Sequence, residues 1–474
     1  MISGRQSPGP VEFPTGLPVV LDRQVRRFTG DTALLGGDPV RLLRLRHRGE
    51  GLELAPSAGD LPARRLVRTL VDGGFAHPRP DPEPVADVTV VIPVLDRPAE
   101  LERCLLSLGN DVAVLVVDDG SIDPAAVRAV CARHAAAVLR QPENTGPAAA
   151  RNAGVTATTS ALVAFLDSDC VVPAGWLDAL AGHFRDPRVA AVAPRVRAAP
   201  GQTLLARYAR ARGPLDLGGR EARVRPGGLV SYVPTAALVV RRDALGGAGR
   251  EGRPFDPGLR YGEDVDLVWR LHDAGWTVRY DPRTVVEHTE PAHWATWLLR
   301  KHRYGTSAAP LSERHPDRLA PLVLAPWSTV VLPLLLARRA LPALVVSGLQ
   351  AGRLHRRLVQ AGLPRAASAA VAARVIARSA LSAVSATGGA GAVVTVPLLA
   401  MALVPRRCRV TAALALAVPP LLDAIDRRPS VDPVRWVVLR LLDDLAYASG
   451  VWRGCWTRRT TLPLRPRRSR PESS

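Results

Sequence analysis

Three short acidic motifs carry chemistry that this chain could perform. Asp167-Ser168-Asp169 sets two carboxylates one residue apart behind an apolar run. Such a pair binds a hard cation that also holds a diphosphate, because magnesium keeps waters and takes one or two carboxylates plus substrate phosphates. Asp118-Asp119-Gly120-Ser121 follows another apolar run, where a carboxylate is placed to accept hydrogen bonds from a base or ribose. A polar turn capping the next helix suits those residues equally well. Gly262-Glu263-Asp264-Val265-Asp266-Leu267 opens an amphipathic helix. Asp264 falls at its positive end, where the macrodipole favours an ionised carboxylate able to take a proton from an attacking hydroxyl. Acidic N-capping is the plainer alternative. A further segment, Asn144-Thr145-Gly146-Pro147, opens a helix bearing Arg151, Asn152 and Gly154, a favourable neighbourhood for a diphosphate and also an ordinary loop. His288 stands behind a strand-like stretch at 284–286 as a lone histidine. With His293 and His302 it does not form the HExxH helix of zinc hydrolases.

These motifs need a scaffold, and the sequence between them supplies one. Apolar strands are expected at 88–94, 113–117, 136–140 and 161–166, with helices at 99–108, 125–134 and 147–157 between them. Strands alternating with helices argue a mostly parallel α/β sheet with right-handed crossovers. Acidic and glycine residues gather where the strands end, which is the edge at which open α/β sheets bind ligands.

In this order and spacing the elements resemble glycosyltransferase family 2. The matching residues are Val90-Val91-Ile92-Pro93-Val94, Asp118-Asp119-Gly120-Ser121, Asn144-Thr145-Gly146 with Ala150-Arg151-Asn152-Ala153-Gly154, Asp167-Ser168-Asp169 and Gly262-Glu263-Asp264-Val265-Asp266-Leu267. The resemblance implies a GT-A fold over residues 87–300, Rossmann-like with a mostly parallel sheet. It implies Pro93, Asp118, Asp119, Arg151 and Asp167 around a nucleotide-sugar donor. It implies Asp167 and Asp169 at a Mg2+ or Mn2+ ion with His288 as an additional ligand, and Asp264, beside Glu263, as the base of an inverting displacement. Asp96 is one departure, since relatives often carry Asn there. The Gln-x-x-Arg-Trp motif of the cellulose-synthase type is absent, which argues against a processive polymerase.

Around this core the chain is uneven. Its 474 residues are too many for one ordinary core, so two or three domains are expected. The formal charge is +20, but residues 1–299 carry 36 basic and 35 acidic side chains, whereas residues 300–474 carry 27 and 8. The same C-terminal third holds uncharged apolar runs at 319–337 and 379–405, each closed by arginines. Runs of that length with basic flanks read as membrane segments, with Arg374 and Arg378 on an interfacial helix between them. Membrane lipids are therefore an expected partner, at the cytoplasmic face of the cell membrane. A buried helical bundle is the alternative. Nucleic acid is disfavoured as a partner because no aromatic side chains interleave with the arginines. Lys301 is the only lysine, so part of the arginine excess reflects replacement of lysine and carries no phosphate-reading message. Five scattered cysteines suit a reduced, cytosol-facing protein. No apolar core marks a signal peptide near the N-terminus.

Residues 1–16 read as a disordered leader and 458–474 as a basic disordered tail. Residues 17–80 read as a compact, basic α+β unit. Its β-type runs are expected at 19–21, 33–35 and 40–45. A helix at 61–72 carries Leu66, Val67, Leu70 and Val71 on one side and Arg64, Arg65 and Arg68 on the other, and a proline-rich linker follows at 77–84. The hydrophobic, helical, membrane-associated region is expected over 319–457. This layout is similar to an actinobacterial subgroup of family 2 with a small N-terminal unit and an arginine-rich hydrophobic C-terminus. That likeness implies a winged-helix-like peptide-recognition module at 17–80 and transfer of a hexose, glucose from UDP-glucose, to a hydroxyl of a peptide-derived redox cofactor. Transfer to a lipid carrier or polysaccharide, or a decayed membrane scaffold, are the competing readings.

Overall fold

A computed structural model describes residues 12–21, 46–48, 51–54, 61–249, 252–316, 339–360 and 406–465, with short pieces within 318–334, 365–373 and 467–468. It divides into two compact units. The first comprises residues 1–23, 42–202 and 212–290, and the second comprises 24–41, 203–211 and 291–474.

The first unit holds two sheets. In the small one, β1 (Val19–Leu21), β2 (Arg46–Arg48), β3 (Gly51–Leu54) and β4 (Ala76–Pro78) lie in the order β2-β3-β1-β4, antiparallel where paired. The helix Leu61–Asp72 forms at its expected place. Its apolar face behaves as the spacing predicts, with Val67, Leu70 and Val71 buried. Arg68 departs from the expected polar side. It is buried and makes a two-pronged contact with the equally buried Asp186, 2.8 and 2.9 Å. A helical period assigns side chains to faces, and only the tertiary partner makes burial of an arginine tolerable. The 77–84 stretch is likewise not free chain at its start. Pro78 lies in β4, Arg79 donates its N–H to the carbonyl of Pro18, and a side chain at Gly182 would meet Pro80. The expected runs at 33–35 and 40–45 lie outside the described residues.

The large sheet is built from β5 (Val88–Val94), β6 (Ala113–Asp118), β7 (Ala137–Arg140), β8 (Leu162–Leu166), β9 (Cys170–Val171), β10 (Val189–Ala198), β11 (Ala222–Val224), β12 (Ala237–Arg241) and β13 (Thr277–His288). The order is β11-β13-β10-β12-β8-β5-β6-β7, with β9 paired to β13. The β8-β5-β6-β7 half is parallel, as is β10 with β13, whereas β12 runs against both β8 and β10. This is the mixed, mostly parallel α/β architecture expected of a GT-A fold. Apolar residues of β5, β6, β8 and β10 and of the helices Pro98–Leu108 and Pro124–Arg133 form its principal core. The helix Pro147–Thr156 approaches β5 so closely that a Cβ on Gly154 would overlap Val91 Cγ1.

In the second unit, the helix Trp294–Thr306 lies along Pro433–Arg458. Gly305, Gly450 and Gly454 set the spacing, because a Cβ on any of them would strike the opposing backbone. Trp297, fully buried, donates its Nε1–H to Asp443 at 3.0 Å, and Lys301 reaches the same carboxylate at 3.0 Å. Tyr208 packs among Trp294, Trp297 and Trp436, with its ring tilted or edge-on to theirs. The segment 203–211, continuous in sequence with the transferase region, therefore belongs to the helical unit.

A helical C-terminal region is thus present. Among the described residues no helix is long and apolar enough to cross a membrane. The run 319–337 departs from the expected helical span, because Val323–Leu324 pairs as a strand with Arg467–Arg468. The run 379–405, with Arg374 and Arg378, lies outside the described residues.

Candidate active site

The chemistry-bearing residues meet at the C-terminal ends of β5, β6 and β8 and at the start of the helix Glu263–Asp273. The backbone at the first of these ends is specified closely. Gly120 has φ +80°, and a Cβ there would collide with the backbone of Glu143 and Asn144, so the Asp-Asp-Gly-Ser turn touches the Asn-Thr-Gly loop. Asp119 ties the two together. Its Oδ1 accepts from the N–H and hydroxyl of Thr145, each at 2.9 Å, and its Oδ2 accepts from the Gly146 N–H at 2.8 Å. Asp119 therefore shapes the loop.

Asp118 is buried, with Oδ1 accepting from Ser121 N–H at 2.9 Å and Oδ2 from Arg140 at 2.5 Å. Burial pushes its carboxyl up, but the hydrogen bonds from Ser121 and the Arg140 cation outweigh burial and hold it below the usual range. Pro93 lies near the end of β5, beside Val117 of β6.

Arg151 joins the remaining motifs. Its guanidinium is buried, donates to Asp167 Oδ1 at 2.7 Å and to Glu263 Oε1 at 2.8 Å, and lies 5.8 Å from the Phe255 ring centre. Burial opposes its charge, yet Asp167 and Glu263 more than offset this and keep it firmly protonated. Arg151 thus aligns the DxD strand with the helix that carries the base candidate. Burial raises the Glu263 carboxyl, partly countered by Arg151. Asp264, next along and only partly exposed, is pushed up to about 7 by burial and then by the neighbouring Glu263 charge. Asp266, fully buried, instead receives Arg270 at 2.8 Å and anchors the helix.

Asp169 and His288 stand together. Asp169 Oδ1 is 3.4 Å from His288 Nε2, while His288 Nδ1 is 3.3 Å from Glu290. The pairing of β9 with the end of β13, His288 opposite Cys170, brings them there. These residues fit a divalent cation. A carboxylate and an imidazole nitrogen stand close together, and a second carboxylate lies near the other ring nitrogen, where metal-binding histidines commonly have an acceptor. Among the described residues no three His, Cys, Asp or Glu side chains form a cage. A site of this kind would complete its shell with diphosphate oxygens. Asp167 faces Arg151, and the second oxygen of Asp169 is taken by Arg97 at 2.7 Å.

Pro93, Asp118, Asp119, Arg151, Asp167, Asp169, Glu263, Asp264 and His288 all lie in the first unit, at this sheet edge or its flank. Arg97, Arg140 and Glu290 were not anticipated. Only Glu290, two residues past His288, carried a sequence signal, as an acidic neighbour of a candidate ligand.

Residues 89–246 match the sequence family described as Glycosyl transferase family 2. Over 471 residues the chain is 41% identical to the pre-mycofactocin glycosyltransferase of Mycobacterium tuberculosis strain H37Rv, covering 96% of this chain and 98% of that protein. It is 27% identical over 256 residues to an N-acetylglucosaminyltransferase of Rhizobium meliloti, covering 50% of this chain and 59% of the other. Among solved structures, a mannosyltransferase from Pyrobaculum calidifontis in complex with GDP-Man and Mn2+ aligns with a TM-score of 0.37 and 20% identity, over 73% of this chain and 89% of that one.

Proposed function

The chain belongs to glycosyltransferase family 2, and from that premise we propose that it moves a hexose, glucose from UDP-glucose, with inversion, onto a hydroxyl of a peptide-derived redox cofactor. The acceptor class follows from its likeness, along nearly its whole length, to the pre-mycofactocin enzyme. The observation that carries the mechanism is a carboxylate with a basicity suited to neutral pH, Asp264, seated beside the Arg151 bridge to the DxD strand.

Asp264 takes the proton of the acceptor hydroxyl as that oxygen attacks the anomeric carbon from the face opposite the leaving diphosphate. Glu263 and Arg151 hold the helix end at a set position relative to Asp167. Asp118, kept ionised by Ser121 and Arg140, and the loop shaped by Asp119 receive the nucleoside. Asp169 and His288, with Asp167 beside them on the same motif, would hold a Mg2+ or Mn2+ ion, which when bound neutralises charge building on the diphosphate. Residues 17–80 contribute acceptor recognition, since a small antiparallel sheet beside a helix is a form that captures extended peptides. The transferase unit works on the cytosolic side, where nucleotide sugars are found.

The test uses purified full-length protein, UDP-glucose and the cofactor precursor, with glycosylated product followed by mass spectrometry. EDTA should abolish transfer and excess Mn2+ restore it, whereas Asp169→Ala should stay inactive in Mn2+. Full transfer in EDTA would overturn the metal assignment, and donor turnover without product on this acceptor would overturn the acceptor class.

A further inference from the structure

Asp169 is held by an arginine whose surroundings suit it to let go. The Asp169 side chain is 10% exposed and that of Arg97 is 50% exposed, although the two meet at 2.7 Å. The carboxylate is therefore fixed within the protein while the guanidinium reaches it from the solvent side. The backbone that presents Arg97 is unusual. Asp96 has φ +53°, in the left-handed region that Asp tolerates better than most residues. Two hydrogen bonds secure that turn. The Asp96 N–H donates to Ser121 Oγ at 3.0 Å, and Asp96 Oδ1 accepts from Ile122 N–H at 2.7 Å. The turn delivering Arg97 to the DxD carboxylate is thus fastened to the Asp118-to-Ser121 motif. Arg97 makes no side-chain cap to the helix it precedes.

Resting on the metal-assisted reading above, we propose that Arg97 is the resident counter-ion of Asp169, yielding the carboxylate to a divalent cation and moving onto the donor's diphosphate, so that cation and nucleotide load together. A cation arriving alone must displace a like charge from its own ligand. A cation arriving with a nucleoside diphosphate brings anionic oxygens, and a guanidinium pairs with phosphate oxygens in the same forked geometry that it uses for carboxylates. Exchange of one partner for the other leaves no charge stranded in the buried part of the site. The Arg97 side chain thereby makes cation affinity depend on the nucleotide, and linkage requires the reverse dependence to be equal.

The experiment measures Mn2+ binding to the full chain by electron paramagnetic resonance, alone and with saturating UDP or GDP. Wild-type protein should bind Mn2+ more tightly with its nucleotide than without. In Arg97→Gln, Mn2+ alone should bind about three- to ten-fold more tightly and Mn2+ with nucleotide more weakly by a similar factor, as expected for loss of a half-exposed charged contact. The nucleotide effect should therefore shrink about ten-fold or more. Arg97→Lys keeps the charge and covers the case in which the glutamine variant fails to fold. It should match wild type for Mn2+ alone yet show a reduced nucleotide effect. An undiminished nucleotide effect in whichever variant folds would overturn this role for Arg97 and leave the metal reading standing. A wild-type protein that binds no Mn2+ with either nucleotide would overturn the metal reading, and the exchange with it.

Discussion

Asp264→Asn should separate chemistry, binding and stability in one variant. The wild-type carboxyl is pushed up to about 7 by burial and by the Glu263 charge, against an ordinary 3.8. Only its deprotonated form can accept a proton, so transfer should rise with pH across a limb near 7. Asparagine removes the base, and loss of general-base catalysis predicts a fall in turnover of about 10²–10⁴-fold with donor affinity changed no more than a few-fold. Stability should move the other way. The native carboxyl binds its proton more tightly than the unfolded chain does, so this group costs nothing below about pH 4. Its destabilising contribution grows as pH rises and is complete above about 7. Allowing for partial exposure and for the nearby Arg151, the amide should relieve roughly 1–2 kcal/mol above pH 7, a rise in melting temperature of about 2–6 °C. The assays are product formation from pH 5.5 to 9, equilibrium binding of the donor and thermal melts at pH 4 and pH 8. Transfer above a tenth of wild type, or donor affinity falling in step with turnover, would show Asp264 to be a helix cap. An unchanged melt at pH 8 would refute the origin assigned to its raised affinity for protons.

Two predictions test the frame around the site. Arg68→Ala leaves the buried Asp186 without its two-pronged partner, and should cost about 3–5 kcal/mol in urea unfolding, since an unpaired charge is left inside the protein; a loss below 1 kcal/mol would mean that this contact does not fasten residues 61–72 to the transferase sheet. Gly154→Ala drives a methyl into Val91 Cγ1 and should cost about 1–3 kcal/mol. Thermal melting measures it, and a neutral result would show that the helix Pro147–Thr156 can move away from β5 without penalty.

Sequence order and spacing determined a great deal. The parallel half of the sheet was legible because buried strands read as short apolar runs, and 88–94 appears with the bounds expected of it. The acidic motifs were legible because strand ends are where such sheets bind ligands. The 61–72 helix followed from its apolar period. Other features depended on contacts far apart in sequence, which no local pattern encodes. Arg151 looks like a nucleotide ligand in its motif, and only folding shows that it also bridges Asp167 and Glu263, the latter 112 residues away. The basicity of Asp264 is set by its burial and by Glu263, not by the helix position that suggested an easily ionised group. The same holds for Arg68 on Asp186, for Arg97 on Asp169 and for Tyr208, whose segment is contiguous with the transferase in sequence but packs among tryptophans of the helical unit. Local sequence specifies which backbone conformations are cheap and which face is apolar. Which charge meets which, and in how little water, is decided only when distant elements close around them, because the energy of a charge depends on its surroundings more than on its neighbours in the chain.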